Sequence, residues 1–500
     1  MDILANLELG FGVSLSLGNL FYCFVGVLLG TAIGVLPGLG PMATIAMLLP
    51  MTYALDPITA LIMLAGIYYG AQYGGSTTAI LINLPGEASA VVTAIDGHKM
   101  AQQGRAGVAL AVAALASLFA GTISTGVIAG FSPILASLAL SFRSPEYFSL
   151  MILGLIAAVI LAHGPILRAV AMVLIGLLLG CIGVDVNSGV ARFTFGALEL
   201  SSGIDFVAIS MGIFAFAEII AHVRDKTRGS PKLYEVTSLW PTRQDVKRSA
   251  PAAVRGTLLG SLLGLMPGGG ATLASFSAYS VEKRASKRPQ EFGQGAIEGV
   301  AGPEAANNAA AQTSFIPMLT LGIPANGVMA LMMGAMMIHN IAPGPQILTQ
   351  NTQLFWALVT SMWIGNFMLI VLNLPMVGLW VKLISIPYRY LYPAILVFCV
   401  IGIFSIDNQT FQIFVAAGLG VAGYFLARLK CEMAPLLLGF VLGPMLEENF
   451  RRSMQISRGS LSIFVTQPIS ACVLAVALVL LIVVLSPRMR RKREDVFAES

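Results

Sequence analysis

Apolar residues run along this chain in stretches of about 20, among them 17–36, 108–131, 355–381 and 463–485, the length a helix needs to cross a bilayer core. The alternation of apolar and polar positions that marks an outer-membrane barrel is missing. The pattern predicts an all-α polytopic membrane protein with roughly ten to thirteen helical crossings, some of them broken. The breaks carry the most information. Residues 26–40 read Gly-Val-Leu-Leu-Gly-Thr-Ala-Ile-Gly-Val-Leu-Pro-Gly-Leu-Gly, and residues 256–270 read Gly-Thr-Leu-Leu-Gly-Ser-Leu-Leu-Gly-Leu-Met-Pro-Gly-Gly-Gly, with eight of fifteen positions identical at an offset of 230. Each copy meets a Pro-Gly break, at Pro37-Gly38 and Pro267-Gly268, where the bilayer midplane is expected. Paired interruptions in two halves of a hydrophobic chain point to a secondary transporter's binding site.

A second polar stretch follows each copy. In the first half, Gly74-Gly75-Ser76-Thr77-Thr78 leads to Asn83-Leu84-Pro85-Gly86-Glu87-Ala88-Ser89; in the second, Glu304 and the Asn307-Asn308 pair lead through Gln312-Thr313-Ser314 to Gly322-Ile323-Pro324-Ala325-Asn326. Both stretches are expected to be broken helices. Backbone amides freed at membrane depth are tolerated only against protein or a water-filled cavity, and a helix restarting at Met42 or Ala271 offers its positive dipole end to an anion. The expected substrate-binding residues are therefore Pro37, Gly38, Leu39, Gly40, Ser76, Thr77, Asn83, Pro85, Gly86, Gly268, Gly269, Gly270, Thr272, Pro324, Ala325 and Asn326. Asn307, Asn308, Thr313 and Ser314, with the intramembrane acids Glu87 and Glu304, are the expected ligands of a coupling ion, since buried ionisable groups are costly and oxygen donors suit a small cation. Small residues also let membrane helices approach closely, which is the expected role of Gly30 and Gly34. For the two glutamates, helix-end capping is the competing role.

Charge sets an orientation. No Lys or Arg occurs before Lys99, whereas Arg224, Lys226, Arg228, Lys232, Arg243, Lys247, Arg248 and Arg255 crowd the central loop, and Arg488, Arg490, Arg491, Lys492 and Arg493 follow the last span. The positive-inside rule puts the central loop and the tail in the cytoplasm. Residues 96–107 carry Lys99 and Arg105, while their counterpart 338–350 carries neither residue type. The two copies are accordingly expected to be inverted repeats. The division that follows is 1–223 for the first membrane repeat and its scaffold, 224–250 for a cytoplasmic loop, 251–350 for the second repeat, 351–487 for C-terminal scaffold spans and 488–500 for the tail. Four basic residues within 282–288 lie close after Gly268, so a re-entrant hairpin fits there better than a full crossing.

Composition narrows the function. With 57% hydrophobic and 11% charged residues, the chain is an integral membrane protein and not a soluble domain. Its net charge of +5 is spread over short loops, which argues against a nucleic-acid partner. The five cysteines form no CxxC pair, so neither a disulfide framework nor a zinc site is indicated. No Gly-x-Ser-x-Gly, His-Glu-x-x-His or Walker sequence is present, so the chain is expected to be no enzyme and to need no cofactor beyond a coupling cation. An ion gradient then has to drive uphill transport.

Several of these segments together resemble the large membrane subunit of the tripartite tricarboxylate transporter family. They are Gly-Val-Leu-Pro-Gly-Leu-Gly-Pro at 34–41, Asn-Leu-Pro-Gly-Glu-Ala-Ser at 83–89, Asp-Gly-His-Lys-Met-Ala-Gln-Gln-Gly at 96–104, Glu-Gly-Val-Ala-Gly-Pro-Glu-Ala-Ala-Asn-Asn-Ala at 298–309, Leu-Thr-Leu-Gly-Ile-Pro at 319–324 and Ala-Pro-Leu-Leu-Leu-Gly-Phe-Val-Leu-Gly-Pro-Met-Leu-Glu at 434–447. The resemblance implies a bacterial inner-membrane carrier that works with a small integral-membrane subunit and a periplasmic solute-binding protein delivering an organic carboxylate. It implies an ion gradient, commonly of sodium, with the proton as alternative. Two departures stand out: Ala325 where the family usually has glycine, and Ala311-Gln312 where small glycine-rich residues are usual. A stand-alone ion-coupled exchanger and an intramembrane enzyme are the rival readings.

Overall fold

The computed structural model describes residues 3–485 apart from 37–38, 140, 163–164, 186–187, 225–233, 235, 237, 267–269 and 385–387. Pro37, Gly38, Gly268 and Gly269 thus lie outside the described residues. The chain is helical nearly throughout, as its apolar runs require. The first half holds α1 (Ile3–Ser14), α2 (Leu17–Gly34), α3 (Pro41–Leu48), α4 (Pro57–Ile82), α5 (Ala90–Gln102) and α6 (Ala106–Ala139). Next come α7 (Ser144–Leu161) and α8 (Ile166–Gly180), a short antiparallel ribbon of β1 (Gly183–Val184) and β2 (Ala191–Arg192), and α9 (Phe206–Ser210), which runs through a π-helical turn into α10 (Ala217–Arg224). The second half holds α11 (Arg243–Gly264), α12 (Gly270–Ala285), α13 (Glu298–Thr313), α14 (Phe315–Leu321), α15 (Gly327–Ile338), α16 (Ile347–Gln350) and α17 (Thr352–Asn373). The remainder is α18 (Val377–Ile384), α19 (Tyr388–Asp407), α20 (Thr410–Arg428), α21 (Met433–Ile456), α22 (Ile463–Thr466) and α23 (Pro468–Leu485).

Among the described residues, four helices are long and apolar enough to cross a membrane: Leu17–Gly34, Ala106–Ser137, Thr352–Asn373 and Thr410–Arg428. The protein is an all-α polytopic membrane protein. Two expected spans are interrupted. The run 355–381 is divided between α17 and α18, and 463–485 between α22 and α23, where Pro468 begins the second helix, a position at which its missing N–H costs nothing.

The repeat is visible in packing. Gly26, Gly30 and Gly34 of α2 lie directly on the backbone carbonyls of Met63, Ile67 and Ala71 of α4, and Gly256, Gly260 and Gly264 of α11 lie in the same way on Gly302, Ala306 and Ala310 of α13. The partners are displaced by a constant 239 positions where the glycines are displaced by 230, because the linker before α13 is longer. Any Cβ at these glycines would collide with a carbonyl oxygen, so small residues are what allow the helix pairs to approach.

In both pairs the contacts advance in the same direction, so α2 runs parallel to α4 and α11 parallel to α13. The chain between must therefore turn back. Asn19 Oδ1 accepts from Thr59 Oγ1 at 2.7 Å, joining the starts of α2 and α4. Arg248 pairs with Glu298 at 2.7 Å and Arg255 with Glu282 at 2.6 Å, joining the starts of α11 and α13 to the end of α12. The segments α2–α3 and α11–α12 are hairpins whose two arms share one end. Their tips reach Gly74 and Thr313, about 12 Å short of the ends of α4 and α14 at 1.5 Å per residue.

The charged loops gather at one end. Arg105 pairs with Asp245 at 2.6 Å, and Gln103 Nε2 donates to the Gln294 carbonyl at 2.7 Å. Asp96, fully buried on α5, accepts from the backbone amides of Gly293, Gly295 and Ala296 at 2.8–2.9 Å and from the Tyr279 hydroxyl at 2.9 Å. At the opposite end, the His339 ring lies near the backbone of Thr52.

Candidate functional site

The two halves meet where α4 crosses α13. Gln72 Nε2 donates to Asn307 Oδ1 at 2.9 Å, and Ser76 Oγ donates to Glu304 Oε1 at 2.8 Å. Advancing along α4 means retreating along α13, so the two helices are antiparallel. Both are buried almost along their whole length. A polar seam therefore lies in the interior of an apolar bundle, where each polar group needs a partner.

The first compartment of the seam brings the residues after the first breaks, Gly40 and Gly270, against the second breaks. Asn307 Nδ2 donates to Glu87 Oε1 at 3.2 Å, and Glu87 also accepts from Ser89. A Cβ at Gly40, the residue that precedes α3, would lie 3.0 Å from the Gly86 carbonyl and 3.9 Å from the Glu87 Cβ. Its repeat counterpart Gly270 stands in the same relation to Asn326 Nδ2, at 3.3 Å. Glu87 and Asn326 are themselves counterparts under the 239-residue displacement, as are Pro85 with Pro324 and Gly86 with Ala325. The Tyr68 phenol faces Ser314 and Asn326. Asn326 Oδ1 caps α15 by accepting from the Met329 amide at 2.9 Å, and Met42 of α3 packs on Gly327. Three helix starts, those of α3, α12 and α15, are thereby brought together.

The second cluster lies one turn back along α13, on the same face towards α4. Glu304, 2% exposed, accepts from Ser76 and from Thr93 Oγ1 of α5, and Ser117 of α6 lies beside it. Asn308 Nδ2 donates to Ser117 Oγ at 2.7 Å and to the Glu304 carbonyl at 3.0 Å. The adjacent carboxamides Asn307 and Asn308 thus flank Glu304 and take different partners, Glu87 and Ser117. Among the described residues neither Glu87 nor Glu304 has a basic partner, and no three His, Cys, Asp or Glu side chains group to hold a metal. Hydroxyls, carboxamides and single carboxylates are donors for a hard monovalent cation, not for a transition metal.

The breaks are shorter than the sequence suggests. Gly74–Thr78 and Glu304–Thr313 are helical; the second stretch turns briefly at Ser314 between α13 and α14, and the chain enters the left-handed region at Asn83 (φ 57°) and at its counterpart Gly322 (φ 69°). Hydroxyls explain the continuity: Thr77 donates to the Tyr73 carbonyl at 3.2 Å, Thr313 to Ala309 at 3.0 Å and Ser314 to Ala311 at 2.7 Å, so each tightens its own helix. The helices after the first breaks begin at Pro41 and Gly270, one residue earlier than expected. Asn83 is exposed and ends α4, Leu39 and Ala325 are packed in the interior, and Thr272 is half-buried in the first turn of α12. Tyr68, Gln72, Tyr73, Thr93 and Ser117 belong to the seam although sequence reasoning passed over them. The available signal was the helical spacing of Tyr68, Gln72 and Ser76, one turn apart on a single face.

Residues 20–438 match the model of the tripartite tricarboxylate transporter TctA family. The chain belongs to this family. The match takes in both hairpins, the whole polar seam and the start of α21. The chain is 57% identical over 499 residues, essentially both full lengths, to an uncharacterized 52.8 kDa protein in the TAR-I ttuC′ 3′ region of Agrobacterium vitis. It is 60% identical over 240 residues to an uncharacterized protein in the TAR-II ttuC′ 3′ region of the same organism, spanning 48% of this chain and 99% of that one. No solved structure matches. As a member of the TctA family the chain has a role in tricarboxylate transport and is no enzyme.

Proposed function

We propose that this chain imports an organic carboxylate across a bacterial inner membrane, driven by a cation gradient, with the substrate delivered by a periplasmic binding protein and a small membrane subunit as partner. The observation that carries the reading is the convergence of the helix starts of α3, α12 and α15 and of the second breaks beside the crossing of α4 and α13. Three helix starts face one compartment there, and free N–H groups at the positive ends of helices recognise a carboxylate without a buried arginine. Gly40, Gly86, Gly270, Asn326 and the start of α15 are the groups assigned to the substrate. Glu87 and Glu304, without basic partners, fit the coupling ion, whose positive charge would allow an anion to enter beside them. The antiparallel course of α4 and α13 and the gathering of basic loops at one end support inverted repeats that rock or slide around this site. Partners follow from family membership alone.

The test is uptake of labelled di- and tricarboxylates by membrane vesicles containing the chain, its small subunit and added binding protein. Uptake is expected to need the binding protein, to collapse with an ionophore that dissipates sodium or proton gradients, and to survive ATP depletion under a clamped gradient. Uptake that follows ATP at fixed gradient sinks the proposal.

A further inference from the structure

Beyond the transport reaction itself, we propose that the second hairpin holds an anionic phospholipid, with its phosphate at the basic end of α12 and its acyl chains along the exposed apolar face of that helix. The repeat shows that this face lacks a cover. In the first half α3 is buried along almost its whole length, and Gly402 of α19 lies on Pro50 just beyond its end. The counterpart stretch of α12, displaced by 230 positions, is open. Ala43 and Ala46 are 7% and 0% exposed, whereas their counterparts Leu273 and Phe276 are 36% and 44% exposed. Pro50 corresponds to Ser280, which is exposed as well. Large apolar side chains thus stand, in the copy whose outer face is open, where the enclosed copy has alanines.

Charge says what covers it. Leu273, Phe276, Ser280, Lys283 and Arg284 recur at helical spacing and are all exposed, so one stripe of α12 passes from apolar side chains through a hydroxyl to cations. Lys287 follows in the turn after the helix. Among the described residues no carboxylate pairs with Lys283, Arg284 or Lys287. The neighbouring acids are engaged elsewhere, Glu282 with Arg255 and Glu291 with Arg248 and Arg288. A cavity of about 470 Å³ opens at this end, lined by Ser280, Lys283, Arg284 and Pro289. Phosphate oxygens take lysine and arginine donors in charge-assisted hydrogen bonds. Ser280 Oγ donates to the Phe276 carbonyl at 3.0 Å, which leaves its lone pairs for a headgroup hydroxyl. Phe276 lies about 12 Å along the axis from Arg284, enough to pass from the headgroup layer into the hydrocarbon. A soluble acidic partner would match the cations and leave Leu273 and Phe276 bare, and a neutral membrane helix would do the reverse. A phospholipid meets both requirements, and basic pockets at the cytoplasmic ends of membrane helices take anionic headgroups. Because α12 begins at Gly270, beside the carboxylate compartment, a lipid held along it braces one wall of that compartment.

The experiment titrates the purified full-length protein, in a neutral detergent, with dioleoyl phosphatidylglycerol and with dioleoyl phosphatidylcholine as reference. Bound lipid is read by native mass spectrometry and stability by the unfolding temperature. Phosphatidylglycerol is expected to bind at least about tenfold more tightly and to raise the unfolding temperature, since each cation near a headgroup contributes about fivefold. The combined variant Lys283→Gln, Arg284→Gln and Lys287→Gln should bind the two lipids alike. Arg428→Gln, which removes an exposed cation at the end of α20, should keep the preference. Phe276→Ser should weaken both lipids by a similar factor and leave the preference in place. Glycerol 1-phosphate, which has the charge without the chains, should not move the unfolding temperature at the same concentration. Equal binding of the two lipids by the wild type, a combined variant that keeps the preference, an equal loss in Arg428→Gln or a full response to glycerol 1-phosphate would each overturn the assignment. So would a cysteine-free background carrying Phe276→Cys that the small membrane subunit shields from a maleimide and phosphatidylglycerol does not, since a protein would then be the cover.

Discussion

At the scale of single residues, the glycines of the two hairpins make the sharpest prediction. Gly30 and Gly260 sit on the carbonyls of Ile67 and Ala306 with no room for a methyl group, while Gly126 on α6 faces open space. Gly30→Ala and Gly260→Ala are each expected to destabilise the protein by about 1–3 kcal/mol, the usual cost of overpacking a tight interface. Gly126→Ala should be neutral or slightly stabilising, since alanine is the better helix former. Thermal unfolding in detergent checks all three, and equal behaviour of Gly30→Ala and Gly126→Ala would contradict the packing. These glycines were legible in the chain because the repeat displays them twice. Tyr68, Gln72 and Thr93 were not, since a polar side chain inside an apolar run declares its burial but not the helix that answers it. Gln72 acquires meaning only through Asn307, 235 positions away.

At the scale of elements, the linker before α13 depends on one carboxylate in the other half. Asp96 receives three backbone amides from residues 293–296 and the Tyr279 hydroxyl, and is fully buried. Removing an acceptor leaves each buried amide unpaired at about 1–3 kcal/mol. Asp96→Ala should therefore lower the unfolding temperature strongly and open 293–296 to proteolysis, with Asp96→Asn intermediate because it retains one acceptor oxygen. A linker that stays protected in Asp96→Ala would show that other contacts hold it. The sequence marks Asp96 only as part of a motif after the second break, because backbone amides have no signature in a sequence. Hairpins were easier to foresee. The basic residues that follow Gly268 so closely leave no length for a crossing, and Arg255–Glu282 shows the returned arm beside the outgoing one. The extent of the second breaks was harder to foresee, because serine and threonine in a membrane helix can either unwind it or bond back to its own carbonyls, and here they do the latter.

At the scale of the whole molecule, the proposed inverted arrangement can be read from the two ends of the bundle. The loop after α5 is tied to the basic linkers of the second half by Gln103–Gln294 and Arg105–Asp245, whereas the loop after α15 meets the end of the first hairpin through His339 and Thr52. If Lys and Arg mark the cytoplasmic side, these equivalent loops face opposite compartments. Gln102 and Gln346 are both exposed, so a cysteine at either position can react without disturbing packing. In a background whose five native cysteines are replaced, Gln102→Cys is expected to label with a membrane-impermeant maleimide only in inside-out vesicles, and Gln346→Cys only in right-side-out vesicles. Labelling of both from one side would mean that α4 and the α13–α14 pair enter the membrane from the same face. That result cannot coexist with their antiparallel crossing at Gln72–Asn307 and Ser76–Glu304, so it would count against the arrangement of the seam itself as well as against the orientation.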